Sequence, residues 1–202
     1  MKKRQYLWLF GFVAGLAAIG LYLQRWNRQF IKYQVATKAL PTDAGQLHLG
    51  KQVQVTTLLD CPADKIWQLI LTSGLTEHLS WPCITFIPLE RTTLPDIWKE
   101  GEAVHLQLRL FDWLPLGRHT IMVEKVDQEG LRIQTKESGR IVRVWNHTID
   151  MSRVNDTQTI YTDTIDVHAG TKTEWLAGLI SWFFRYRQAR LQKLAARLGA
   201  EE

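Results

Sequence analysis

Hydrophobic positions along the chain change their period several times, and each change marks an element. Residues 6–23, YLWLFGFVAGLAAIGLYL, are apolar throughout. Residues 51–59, KQVQVTTLL, alternate and are rich in β-branched side chains, which predicts a strand. Ile66, Trp67, Leu69 and Ile70 then recur at helical spacing, behind Asp60 as a candidate N-cap and Pro62 in the first turn. That helix breaks at Ser73-Gly74, and a second short helical turn follows. Alternation returns over 102–111, 117–127, 130–138, 140–151 and 157–168, separated by turn-forming residues such as Asp127-Gln128-Glu129-Gly130, Ser138-Gly139 and Asn155-Asp156. The last pattern is helical again and runs from Thr173 to Leu198.

A strand, two short helices, a run of strands and one long helix predict an α+β fold. An antiparallel meander must bury one face, and only the final helix is long enough to cover it. The expected architecture is therefore a curved antiparallel sheet wrapped around the C-terminal helix. Within 144–151, VWNHTIDM, one face carries Trp145, His147, Ile149 and Met151, so a histidine points toward the core. A three-residue turn centred on Asn155 sets Trp145 opposite Ile165, Ile149 opposite Tyr161 and His147 opposite Asp163. A two-residue slip keeps the faces and moves Asp163 to a diagonal.

On the closing helix the apolar stripe passes through Leu176, Ile180, Phe183, Phe184, Leu191, Leu194 and Leu198, with Arg187 near its middle. A cation in that position needs a partner, and Asp163 beside His147 is the expected one. Three roles are open to a His147–Asp163–Arg187 knot. It can be a polar network that fixes helix to sheet, an anchor for a ligand's head group, or an acid–base centre with His147 oriented by the carboxylate. His119 shares parity with Ile121 and Val123 and is expected inward or half-exposed at a strand end. His48, His78, His105 and His168 show no metal spacing, and no metal or cofactor is expected.

As a helix, residues 6–23 span about 27 Å, close to the ~30 Å of a hydrocarbon core. Tyr6, Trp8, Tyr22 and Trp26 lie near the two ends, where amphipathic aromatics favour the interface. The apolar run continues past its alanines, which favours an uncleaved anchor over a signal peptide. Residues 1–24 are thus expected to be one transmembrane anchor, 25–45 a basic, partly amphipathic juxtamembrane stalk, and 46–202 the folded domain. Basic residues flank both ends of the span, so its orientation stays open. The anchor also changes what the charge means. The formal net charge is +5, but seven of the 25 Lys and Arg fall in residues 1–40, which hold no acid. The rest of the chain is slightly acidic, and no nucleic-acid partner is expected. Cys61 and Cys83 are expected to be two buried thiols, with one disulfide as the alternative.

There is no GxGxxG, P-loop, GxSxG or HExxH pattern. Instead CPADKIWQLI, LGRHTIMVEKVD, VWNHTIDM, TQTIYTDTIDV and WFFRYRQARLQKL together resemble the START-like superfamily, also called SRPBCC or helix-grip. The branch they most resemble is that of the bacterial polyketide cyclase/dehydrase-like proteins. Trp145 and His147 match its W-x-H strand, Asp163 the acid of the next strand, and Phe184-Arg185-Tyr186-Arg187 its helical F-x-Y-R. The resemblance covers residues 50–198.

It implies a deep, mostly apolar cavity between sheet and helix. Members bind lipids, sterols, quinones, hormones or polyketides; a minority catalyse cyclisation or dehydration, and others bind proteins. The function expected here is membrane-anchored binding of a hydrophobic small molecule, of lipid, quinone or polyketide-like class. The expected ligand-contacting set is Leu106, Leu108, His119, Ile121, Trp145, His147, Ile149, Tyr161, Asp163 and Arg187. One alternative is a cyclase/dehydratase-type enzyme with His147 as general base, and another is an interaction module whose cavity is filled by its own side chains. The expected location is a bacterial inner membrane, spanned once by residues 6–23, with the face of the domain and any protein partner open. Two apolar loops, FDWLPLG (111–117) and HLSWPCITFIP (78–88), are expected to pack as core edges rather than to form a lip around the cavity mouth.

Overall fold

The computed structural model describes residues 30–41, 45–90, 93–140 and 142–200. The apolar stretch 6–23 lies outside them, and no helix among the described residues is long and apolar enough to cross a membrane. The elements are β1 (Phe30–Pro41), β2 (Leu47–Leu59), α1 (Ala63–Ile70), α2 (Ser73–Ser80), β3 (Ile84–Pro88), β4 (Ala103–Leu110), β5 (Leu114–Asp127), β6 (Arg132–Gly139), β7 (Val144–Asn155), β8 (Gln158–His168) and α3 (Thr173–Gly199), the last entered through a 3-10 turn. The strands form one antiparallel sheet in the order β1-β2-β8-β7-β6-β5-β4-β3. The expected α+β architecture, a curved sheet gripping the long last helix, is what the chain adopts.

Two strands lie where none was expected. Residues 30–41, assigned to the stalk on sequence, form β1 and pair in register with β2 from Tyr33↔Val55 to Pro41↔Leu47. The folded domain therefore starts by Phe30, not at residue 46. Phe30 and Leu40 are buried, whereas Tyr33 and Val35 are exposed and Lys38 bonds Asp166 at 2.7 Å across β2. Such an edge strand lacks clean alternation because only its ends reach a core. β3 arises within the apolar segment 78–88 and pairs with β4 from Ile84↔Leu110 to Pro88↔Leu106.

The β7–β8 hairpin takes the slipped register. Ile149 faces Asp163 and His147 faces Ile165, so Asp163 is diagonal to the histidine. The cause is the turn. Asn155 Oδ1 accepts from the Thr157 backbone N–H at 2.9 Å, and the pairing shifts between Arg153 and Asn155, leaving Asp156 and Thr157 as the loop. Parity is untouched by a slip of two, so every inward residue stays inward.

α3 crosses the sheet with Thr173, Ala177, Ile180, Ser181, Phe184, Gln188, Leu191 and Ala195 buried. Beneath its N-terminal half lies a cluster of Val53, Val55, Ile165 and Val167. Beneath its C-terminal half, Ile66, Trp67, Leu79, Leu106, Val123 and Tyr161 gather with Leu191 and Ala195. Lys65 Nζ donates to the Leu198 carbonyl at 2.8 Å and ties α1 to the end of the helix. Helix and sheet do not touch everywhere, and the gap between them is the site.

Candidate functional site

α3 sits directly on β2 and β8 and stands away from β4–β7. The space left open is a cavity of about 510 Å³. From the sheet it is lined by Leu108, Ile121, Ile133, Trp145 and Ile149, from the helix by Leu176, Ile180, Phe183 and Phe184, and at one end by Ile70 and Trp98. The alternation of β5, β6 and β7 produces this wall, since residues two apart share the concave face.

Of the ten residues expected to contact a ligand, Leu108, His119, Ile121, Trp145, His147, Ile149 and Arg187 line the cavity. Leu106, Tyr161 and Asp163 do not. Leu106 is wholly buried in the core, and Tyr161 and Asp163 lie beneath the helix behind His147. Tyr161 and Asp163 are covered because Gln188 donates to the Val55 carbonyl at 2.8 Å and holds α3 down onto β2 and β8.

The polar knot forms with one member exchanged. His147 Nε2 is 2.7 Å from Asp163 Oδ1, and Tyr161 donates its hydroxyl to the same oxygen at 3.0 Å. The third partner is Gln188, whose amide donates to Asp163 Oδ2 at 3.0 Å. Arg187 makes no hydrogen bond or ion pair among the described residues. Its guanidinium carbon lies 5.1 Å from the centre of the Phe184 ring and 5.9 Å from that of Phe183, and its Nε is buried without a partner. The expected Arg187–Asp163 pair is thus corrected to Gln188–Asp163. One residue along a helix is a rotation of about 100°, so when Gln188 faces the sheet Arg187 faces the cavity.

A second buried pair adjoins the first. His119 Nε2 is 2.7 Å from Glu137 Oε2, and Thr135 donates its hydroxyl to Glu137 Oε1 at 2.9 Å. Thr135 is the cross-strand neighbour of His147, so the two histidine–carboxylate pairs lie on one polar band across β5–β8. His119 is the inward residue expected from its parity. Glu137 was not expected, although it shares parity with Ile133 and Thr135. Gly139 makes room for the pair, because a Cβ there would come within 2.8 Å of His119 Nδ1.

Burial pushes the Asp163 carboxyl up. The hydrogen bond and charge of His147, the charge of Arg187 and the Gln188 amide outweigh it and hold the group below the usual carboxylate range. Glu137 behaves alike. Burial raises it, and the His119 bond and charge, His147's charge and the Thr135 hydroxyl bring it below its ordinary value. Tyr161 is pushed well up, by burial and then by Asp163's charge, so its phenol stays a donor. The arrangement can do three things chemically. It fixes the His147 ring, presents that ring to the cavity, edge-to-face with Phe184 at 4.9 Å between centroids, and leaves one guanidinium free to bind.

The two cysteines are free and buried. Cys83 reaches the cavity wall, and its thiol is raised by burial against the opposing charge of Arg190. Among the described residues no group of His, Cys, Asp and Glu could hold a metal ion. The loop 111–117 is not a packed edge. Phe111 and Asp112 take left-handed backbone angles in a tight turn, and Trp113 at its tip is 73% exposed. Phe111 and Leu114 join the exposed Trp175, Leu179 and Trp182 of α3 around the cavity mouth. Segment 78–88 is divided: Leu79, Ser80 and Cys83 are buried, and Trp81 is exposed.

The family described as Domain of unknown function (DUF8410) matches residues 57–195, and the chain belongs to it. No curated protein matches the chain. Among solved structures, a START superfamily protein from Mycobacterium smegmatis is similar over 73% of this chain and 98% of its own, with 13% identity and a TM-score of 0.56. Protein CV1439 from Chromobacterium violaceum shares 11% identity over 71% of this chain and 96% of its own, with a TM-score of 0.53. A conserved protein from Geobacillus kaustophilus shares 15% over 72% and 95%, with a TM-score of 0.52. At these identities the likeness is one of fold, and the fold is START-like.

Proposed function

We propose that this DUF8410 domain binds a hydrophobic small molecule, of lipid, quinone or polyketide-like class, between its sheet and C-terminal helix, at a membrane to which residues 6–23 tether it. The observation that carries the proposal is the cavity. At about 510 Å³ it falls within the ~300–1,000 Å³ of small-molecule sites. It also has their composition, an aromatic and aliphatic wall with a few convergent polar groups. An interaction module filled by its own side chains does not account for that space. Two features favour delivery from a bilayer. Only residues 24–29 separate the apolar stretch from β1, at most about 20 Å of extended chain. The aromatic rim of Phe111, Trp175 and Trp182 gives the mouth the character of an interfacial surface.

A catalytic role for the same site has one observation in its favour, the Asp163-oriented imidazole of His147 on the cavity wall. Binding is nevertheless the more economical proposal, since one oriented imidazole on an otherwise mostly apolar wall serves equally as a ligand anchor.

The test is native mass spectrometry of the full chain, extracted from its own membranes into lipid nanodiscs, followed by organic extraction. A reproducible apolar mass should accompany the wild type and be depleted in Leu108→Trp and Ile121→Trp, each of which takes up part of the cavity. An identical extract from wild type and both variants would sink the proposal.

A further inference from the structure

The charges on the cavity wall do not balance in kind. Both carboxylates of the polar band are fully engaged. Asp163 accepts from His147, Tyr161 and Gln188, and Glu137 accepts from His119 and Thr135. Glu137 is the only acidic residue among those lining the cavity, whereas Arg118, Arg140 and Arg187 all line it, and none of the three makes an ion pair among the described residues. Arg118 and Arg140 are exposed. Arg187 is half-buried, with its Nε shut away from any acceptor and its guanidinium over the faces of Phe183 and Phe184. Asp163 feels the charge of Arg187 but forms no ion pair with it and is taken up by three other donors. A guanidinium held against apolar walls without a hydrogen-bonded acceptor is costly to maintain, and an arriving anion removes that cost. Guanidinium presents a planar fork that matches an oxyanion in two parallel hydrogen bonds.

We propose that Arg187 is the head-group anchor of this site, and that the molecule bound is an amphipathic anion with an apolar body and a singly charged carboxylate-type head. The proposal rests on the cavity being a ligand site, and it names the class of that ligand. Leu108, Ile121, Trp145 and Ile149 receive the body. His147 stands beside the head, with its Nε2 engaged by Asp163 and the rest of its ring toward the cavity. Arg118 and Arg140 at the wall add positive potential that draws an anion in.

The probes are 1-pyrenebutyrate and its neutral counterpart 1-pyrenebutanol, titrated against the full chain in phosphatidylcholine nanodiscs. The readout is energy transfer from tryptophan, since Trp98, Trp145, Trp175 and Trp182 line the cavity; partition into empty discs is subtracted. The wild type should prefer the acid by at least about tenfold, the equivalent of one charge-assisted hydrogen bond. Arg187→Gln should bring the acid down to the affinity of the alcohol and leave the alcohol unchanged, and Arg187→Lys should retain part of the preference. Equal binding of acid and alcohol by the wild type overturns the anion assignment and leaves the cavity proposal standing. Binding of neither overturns both. Parallel weakening of both probes in Arg187→Gln, or a melting temperature far below wild type in both variants, overturns it too, because Arg187 is then structural.

Discussion

Replacing Asp163 by alanine removes the acceptor on which three buried donors converge. The carboxylate is 1% exposed and takes His147 at 2.7 Å, Tyr161 at 3.0 Å and Gln188 at 3.0 Å. Alanine leaves those donors buried without the carboxylate that satisfies them. Each orphaned group costs about 1–3 kcal/mol. Removing one partner of a buried charged pair costs about 3–5 kcal/mol. The two estimates overlap at about 3–5 kcal/mol, a large share of a typical ~5–15 kcal/mol stability. For a domain of this size the melting temperature should fall by about 6–20 °C. Arg187→Met is the contrasting variant. That arginine has no hydrogen bond or ion pair among the described residues and contributes only ring contacts and a through-space charge on Asp163, so its loss should cost about 1 kcal/mol, well short of Asp163→Ala. Thermal melts of the full chain in nanodiscs, followed by near-UV circular dichroism, read both. A double-mutant cycle of Asp163→Ala with His147→Phe should show a coupling of at least about 1 kcal/mol. The reasoning fails if Asp163→Ala melts within about 2 °C of wild type. It fails equally if Arg187→Met costs as much as Asp163→Ala, for then the arginine is the structural tie.

Acid should act through the same carboxylates. Asp163 and Glu137 are held below their ordinary values in the fold. Their contribution is therefore complete above the unfolded-state pKa values and is lost as pH falls through the lower folded ones. Melting temperature should be flat from neutral to about pH 5 and decline below roughly pH 4, with a shallower decline in Asp163→Asn/Glu137→Gln; identical slopes would count against the assignment. Gly139→Ala places a Cβ 2.8 Å from His119 Nδ1 and 3.1 Å from the Arg118 carbonyl, and should cost about 1–3 kcal/mol while parting His119 from Glu137. Gly178→Ala, where a Cβ meets nothing on an exposed face of α3, should instead stabilise by about 0.5–1 kcal/mol. Melts of the two variants, with the imidazole resonances of His119, decide whether close approach or helix propensity governs each.

What the sequence made legible is whatever depends on period. Alternation over 117–127 and 144–151 put His119, Ile121, Trp145, His147 and Ile149 on one wall, and the helical stripe brought α3 across it. Geometry set by single contacts was not legible. The Asn155 side chain bonds Thr157, shortens the turn and slides β8 by two residues, a matter of one hydrogen bond. β1 has a core only at Phe30 and Leu40, so its pattern resembles a solvated segment. Glu137 shares its parity with Ile133 and Thr135, yet a glutamate on a strand is ordinarily read as outward until its histidine is known.

The exchange of Arg187 for Gln188 has a different origin. An apolar stripe on a helix is wider than 100°, so two columns of residues fit within it, and the pattern alone does not separate them. Leu176, Ile180, Phe183 and Arg187 form one column, and it lines the cavity. Ala177, Ser181, Phe184, Gln188, Leu191 and Ala195 form the other, and each of them is buried; Ile180 and Phe184, at the boundary, are both buried and on the cavity wall. The second column is rich in small residues, and small residues are what permit a helix backbone to lie close to a sheet. Contact with β2 and β8 therefore follows the small column, and the open space follows the large one. On that basis Arg187 belongs with Leu176 and Phe183, beside whatever fills the cavity; its charge helps to keep Asp163 ionised, while its hydrogen-bonding fork is left for a ligand.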